Sequence, residues 1–134
     1  MEGCIFCKIA KGEIPSYKVY EDDLVLAFLD ITPANEGHTL IIPKMHRENI
    51  FDIRKEEMER IALVAKKIAE KCRDALGEGE CNLIHSTGKS AGQEVMHFHM
   101  HVVPRKESDG MNIWSGKNPK KPDFEKVAKK MRIS

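Results

Sequence analysis

The 134-residue chain lacks any long apolar run. No segment approaches the roughly 20 residues that span a bilayer, and at the N-terminus only Ile5-Phe6 precedes Lys8 and Lys11, too little for a secretory core. It also lacks an excess of either charge: 22 Lys and Arg stand against 21 Asp and Glu, a formal net charge of +1. That balance excludes the basic footprint of a nucleic-acid binder and the composition of an acidic tail. No repeat, low-complexity tract or linker-like stretch divides the chain. Its length fits a single domain over residues 1–134 with a real core. The expectation is a soluble, cytoplasmic protein with neither nucleic acid nor membrane as partner.

Cysteine is scarce as well, with four residues. Cys4 and Cys7 form a C-x-x-C, while Cys72 and Cys81 fall in a helix pattern and a strand pattern. In a reducing compartment the first pair reads as a metal or redox pair and the other two as buried thiols.

The order of elements follows from hydrophobic period and turn residues. Residues 4–11 suit a short helix stopped by Gly12. Residues 17–20 and 24–29 read as strands around the turn Glu21-Asp22-Asp23, and residues 38–42 as a third strand stopped by Pro43. From Lys55 to Leu76 the period becomes helical, with Met58, Ile61, Ala65, Ile68 and Cys72 on one side and Lys66, Lys67, Glu70 and Lys71 on the other. Asp52 is the expected N-cap and Gly77 or Gly79 the stop. Residues 82–86 form a further strand, 87–92 a flexible turn, and 123–131 a short C-terminal helix. Trp114 stands alone in a polar tail. Three strands, a long helix and two more strands with short connections describe an antiparallel sheet carrying helices, an α+β domain.

Against a total of six histidines, residues 97–103 read His-Phe-His-Met-His-Val-Val. Strand side chains alternate faces, so His97, His99 and His101 share one face and Phe98, Met100 and Val102 the other. With the apolar set turned inward, the imidazoles are expected to line an exposed face. Satisfied surface histidines are the bland alternative, which strict alternation disfavours. A metal bound by all three fails on distance, because the outer pair lies roughly 13 Å apart along a strand. The remaining reading is covalent catalysis, with a neutral imidazole as nucleophile toward phosphorus and its neighbours as hydrogen-bond donors to the phosphoryl oxygens.

The residues leading into this strand fit the same chemistry. Gly88, Ser90 and Gly92 let backbone amides approach an anion, and Gln93 adds a side-chain amide. His38 gains a role only where its strand comes near His99. Thiolates at a helix start have depressed pKa values, so Cys4 and Cys7 are expected to be good metal ligands. His46 and His97 are the free candidates to complete such a site. A thioredoxin-like redox pair fits less well, because no strand precedes Cys4; two buried thiols is the other alternative.

Taken together, these residues resemble the histidine triad (HIT) family of nucleotide hydrolases and transferases, whose hallmark His-φ-His-φ-His-φ-φ (φ apolar) is met at every position from 97 to 103. Residues 4–9, 27–31, 37–43 and 91–93 resemble further family blocks in the family order. The chain is most similar to the Hint-like branch, in particular its zinc-carrying prokaryotic type. The resemblance implies a HIT-like α+β fold, with an antiparallel sheet of about five strands, one long helix and short terminal helices. It implies a homodimer whose sheets join. It also implies cleavage at the α-phosphate of purine nucleoside 5′-phosphoramidates through a covalent nucleotidyl-histidine. His99 would be the nucleophile, His101 and His38 would stabilise the phosphate oxygens, and Gln93 would touch the phosphate or leaving group. Asp30 would hold the ribose and Ile31 the base, with Ser86 and Gly92 also against the nucleotide. Cys4, Cys7, His46 and His97 would hold one structural zinc per chain. Two positions depart from the family pattern: Glu94 stands where Ser or Thr is common, and Ser86 where Asn is common. The alternatives are a dinucleoside polyphosphate hydrolase with the same residues, and a nucleotide-binding adaptor with little turnover.

Overall fold

A computed structural model of the chain describes residues 1–113 and 120–133. The described strands are β1 (Lys18–Glu21), β2 (Val25–Leu29), β3 (Thr39–Pro43), β4 (Cys81–Ile84) and β5 (Met100–Pro104). The α-helices are α1 (Ile5–Ala10), α2 (Lys55–Leu76) and α3 (Phe124–Met131). The strands form one sheet in the order β1-β2-β3-β5-β4, and every neighbouring pair is antiparallel. The α+β architecture expected from the pattern is the one observed.

Both faces of the central strands are covered. Val25, Ala27, Ile41 and Val102 point to one side, where Ile61, Val64, Ala65, Ile68 and Cys72 of α2 meet them. These α2 positions recur at intervals of three and four, the spacing that keeps side chains on one helix face. Leu26, Phe28, Leu40 and Ile42 point to the other side, against Phe6 and Ile9 of α1. The expectation of one solvated face fails because the six-residue α1 lies over it. The imidazole face is therefore buried: His97 is 0% and His99 8% exposed.

The chain into β5 also departs from a simple strand. His101 lies in β5, but His97 and His99 precede it. The Phe98 amide donates to the Arg47 carbonyl at 2.6 Å, outside the sheet ladder. The His97 carbonyl is taken by the His99 ring. With its hydrogen bonds directed elsewhere, this stretch bends before pairing begins. Residues 87–92 are likewise tighter than a flexible turn, because the amides of Ala91, Gly92 and Gln93 bond to Gly88 and Lys89 carbonyls.

α2 begins with Arg54 as N-cap, where Asp52 was expected. Asp52 instead accepts the Glu48 and Asn49 amides, each at 2.9 Å, and closes the preceding turn. Buried Glu57 accepts the Arg54 amide at 2.9 Å and the Arg47 Nε–H at 2.8 Å, which satisfies a carboxylate that would otherwise be costly to bury. The helix ends at Gly77 with φ +76°, a left-handed position open to glycine. Gly37 meets a different constraint. A Cβ there would lie 2.8 Å from Leu76 Cδ1 and 3.2 Å from Pro104 Cγ, so α2 and β5 close directly on the backbone before His38.

Cys72 is buried as expected, but Cys81 is exposed because β4 is the sheet edge. α3 is capped by Asp123, whose carboxylate accepts the Lys126 amide at 3.2 Å. Trp114 lies outside the described residues. Among the described residues, no helix is long and apolar enough to cross a membrane.

Candidate active site and adjoining cysteine–histidine cluster

The β3–β5 register sets Leu40 opposite His101 and Thr39 opposite Val102, which brings His38 beside His101. The two rings bond at 2.9 Å between His38 Nε2 and His101 Nδ1. Phe6 of α1 stands edge-on to His97 and His99, with centroids 5.9 and 5.2 Å away. This aromatic cover removes water from the histidines. Burial then disfavours the imidazolium form. It lowers the pKa of His101 to about 4, and lowers those of His38 and His99 as well, although Asp30 opposes the shift at each ring.

Neutral rings carry one proton each, and their partners assign its place. His99 Nδ1 faces the His97 carbonyl at 2.7 Å, and a carbonyl only accepts. The proton is therefore on Nδ1, and Nε2 keeps its lone pair. The Ala34 amide donates to His38 Nδ1 at 3.0 Å. His38 thus holds its proton on Nε2 and gives it to His101 Nδ1, so His101 carries its own proton on Nε2. His99 is poised as a base or nucleophile, and His101 beside it as a donor; their ring centroids are 5.0 Å apart.

Both rings open into a cavity of about 410 Å³, which Ile5, Ile9, Ile14 and Leu40 line with apolar surface and Asp30 and Glu94 with carboxylates. That volume suits a nucleotide-sized ligand. A larger groove of about 610 Å³ lies between β1 and α2. Its described lining contains no histidine, so the smaller cavity is the candidate site.

On the other side of His99, four donors converge. Cys4 Sγ, Cys7 Sγ and the ring nitrogens of His46 and His97 all lie within 4.8 Å of one another. His97 Nε2 donates to the Pro43 carbonyl at 2.9 Å, which leaves Nδ1 as the lone-pair atom. That atom stands 3.3 Å from Cys4 Sγ and 3.5 Å from Cys7 Sγ, and His46 Nδ1 stands 3.3 Å from Cys7 Sγ. A tetrahedral ion with ordinary Zn–S and Zn–N bonds sets S···N at about 3.5 Å. The donor set and its spacing therefore fit such an ion. The Cys4 thiol also caps α1 by accepting the Cys7 amide at 3.4 Å. The expected depression of the thiol pKa does not hold at Cys7, where burial pushes it up.

The structure brings together most residues singled out from sequence, but not Gly88, Ser90, Gln93 or Ser86. Gly88 and Ser90 do not line the cavity, and the amides of Gly88 and Gly92 are taken by Gln93 Oε1 and the Lys89 carbonyl rather than left for an anion. Gln93 was expected against the phosphate. Its amide instead accepts the Gly88 N–H at 2.8 Å and donates to the carbonyls of Glu48 at 2.7 Å and Val95 at 3.1 Å. Its two N–H groups and one lone pair of its oxygen tie the loop to the segment at Glu48. Ser86 was expected at the nucleotide, but it does not line the cavity, whereas Gly92 and Ile31 do. Asp30 also lines it, accepting the Thr32 amide at 2.9 Å and lying 3.6 Å from His38 Nε2.

Sequence reasoning missed His85. Its ring stacks on Phe98 at 4.0 Å, and its Nδ1 donates to the His99 carbonyl at 3.1 Å. The signal was its position one residue beyond β4, the neighbour of the histidine strand.

An α+β sheet with paired imidazoles beside a nucleotide-sized cavity defines a histidine triad protein. The HIT domain model matches residues 11–108, and the chain belongs to that family. It is 49% identical over 118 residues to a HIT-like protein of Borreliella burgdorferi, covering 87% of this chain and 85% of that one. It is 42% identical over 127 residues to adenosine 5′-monophosphoramidase HNT1 of Saccharomyces cerevisiae, covering 94% and 77%. A crystal structure of a HIT family member from Bacillus subtilis superposes with a TM-score of 0.88 at 41% identity, covering 99% of each chain. A zinc-bound histidine triad family protein from Mycobacterium smegmatis superposes with a TM-score of 0.76 at 37% identity, covering 95% and 88%.

Proposed function

We propose that this chain is a hydrolase of nucleoside 5′-phosphoramidates, with purine nucleosides preferred. One observation carries the reading: the Nδ1 proton of His99 is tied to a backbone carbonyl, so its Nε2 lone pair faces the cavity beside the His101 donor. Nε2 attacks the α-phosphorus, and an N–P bond forms as the P–N bond to the amine breaks. The electron pair leaves with the amine, which takes a proton from solvent. Water then attacks phosphorus and the bond to His99 breaks, giving the nucleoside monophosphate and free His99. The His101 Nε2–H, supported by His38, neutralises charge on the phosphoryl oxygens. Asp30 holds the ribose hydroxyls, and Ile31 and Gly92 border the base and phosphate. Gln93 acts one step back by fixing the loop that carries Gly92. The similarity to a monophosphoramidase supports this substrate class.

Cys4, Cys7, His46 and His97 hold one zinc per chain. Four protein ligands leave no open position, so the ion is structural. It anchors α1 to the segment entering β5. The similarity to a zinc-bound relative supports the metal. Residues 1–134 form one domain, which works as a cytoplasmic homodimer joined at the open β4 edge, where Leu83 is half-exposed.

The test is steady-state hydrolysis of an adenosine phosphoramidate by the wild type, with a diadenosine polyphosphate in parallel. Faster turnover of the phosphoramidate is expected. Faster cleavage of the dinucleotide overturns the substrate class, and binding without turnover of either overturns the enzyme reading.

A further inference from the structure

A cavity for a phosphoryl anion would ordinarily carry basic side chains, yet among its described lining residues there is no Lys or Arg. The histidines do not replace them with formal charge: His38 Nε2 and His101 Nδ1 share one proton at 2.9 Å, and His99 Nδ1 is tied to the His97 carbonyl at 2.7 Å. The formal charges on the described walls are two carboxylates, Asp30 and Glu94. They differ in how they are held. Asp30 is bound to the Thr32 amide and hydroxyl at 2.9 and 3.1 Å. Glu94 is exposed, lies two residues beyond Gly92, and its field reaches the His99 ring.

In phosphoryl transfer the attacking and leaving atoms stand roughly in line. His99 is 8% exposed, so the leaving group must point away from the buried side, toward the open side of the cavity. Glu94 is the solvent-exposed charge on that wall. Resting on the hydrolase reading above, we infer that Glu94 selects the leaving group by charge. The favoured phosphoramidate carries a basic amine, such as a diamine or lysine-like chain, whose distal ammonium pairs with Glu94. Leaving groups bearing phosphate, sulfate or carboxylate meet repulsion from the same oxygens.

This selection separates the two enzyme classes the same histidines could serve. A dinucleoside polyphosphate presents several negative charges where Glu94 stands, and an alkyl-ammonium phosphoramidate presents one positive charge.

Three adenosine 5′-phosphoramidates of matched chain length test it: N-(4-aminobutyl), N-pentyl and N-(4-carboxybutyl). kcat/KM is measured for each with the metal-loaded wild type and with Glu94→Gln. An exposed pair contributes up to about 1 kcal/mol, so about fivefold is expected between successive compounds, in the order cationic, neutral, anionic. In Glu94→Gln both ratios fall below about twofold, and in the wild type they shrink as salt rises from about 50 to about 500 mM. A flat wild-type ranking, or ratios kept by Glu94→Gln, overturns the role of Glu94 and leaves the hydrolase reading standing. Hydrolysis of none of the three overturns the hydrolase reading and this selection with it.

Discussion

His97 and His99 are two residues apart, share Phe6 as a cover, and each gives one ring proton to a backbone carbonyl. They differ in which nitrogen does so. His97 uses Nε2 toward Pro43 and leaves Nδ1 facing two thiols. His99 uses Nδ1 toward His97 and leaves Nε2 facing a cavity. The difference teaches that imidazole chemistry is set by the partner of the opposite nitrogen, a second layer that fixes tautomer and aim. In the function proposed above, one ring becomes a ligand and the other an attacker, with no change of residue type.

The sharpest way to break the comparison is to remove one side of it. His99→Ala should lower kcat/KM for an adenosine phosphoramidate at least 10²-fold. Its zinc content, measured by elemental analysis, should stay at about one per chain. Unchanged activity would refute the covalent route. Cys4→Ser is the mirror experiment. It should lose the metal and lower the midpoint of thermal unfolding by about 10 °C, with a smaller loss of turnover per folded molecule. A fully metallated, equally stable variant would refute the four-donor site.

Gly37→Ala separates the two regions through the fold. The added Cβ meets Leu76 and Pro104, and the left-handed backbone disfavours any side chain. A destabilisation of about 1–2 kcal/mol is expected by chemical denaturation. Activity should fall as His38 shifts, while bound zinc is retained.

The smallest effect is in acid. Burial lowers the folded-state pKa of His101 to about 4, so between that value and the ordinary imidazole range the unfolded chain binds more protons. Stability is then full above the ordinary range and is lost as pH falls toward about 4. From pH 7 to pH 4.5 the full shift would contribute about 2 kcal/mol; solvent screening at this partly exposed ring about halves it, so the thermal midpoint should fall by about 4 °C from this group. The comparison is made in the Cys4→Ser background, so that metal release does not contribute. His101→Gln should reduce that slope, the remainder coming from the other buried imidazoles, and an unchanged slope would refute the assignment.

Much of this was legible in the chain. The period of α2 located its buried face, and turn residues placed the first three strands within a residue of their observed ends, whereas β5 begins three residues later than the histidine alternation implies. The His-x-His-x-His spacing identified three rings with one orientation, and C-x-x-C identified half of a donor set. Period reports which side chains share a face, but not what covers that face. The burial of His97 and His99 depends on α1, a distant six-residue helix, and was read as exposure. Hydrogen-bond direction was equally hidden. Gln93 sits beside the site in sequence, yet its amide turns to backbone groups as distant as Glu48. His85 is a single residue with no motif, and only the packing of Phe98 gives it a place. The N-cap of α2 was missed because Asp52 found nearer amides to accept.

The row from the Ala34 amide through His38 to His101 has one polarity, because each ring accepts on Nδ1 and donates from Nε2. A ligand designer inherits that polarity. Groups aimed at His101 have to be acceptors, so a phosphonate, sulfone or amide carbonyl suits the position. An amide presented by its N–H would have to reverse the proton on every ring back to the Ala34 backbone.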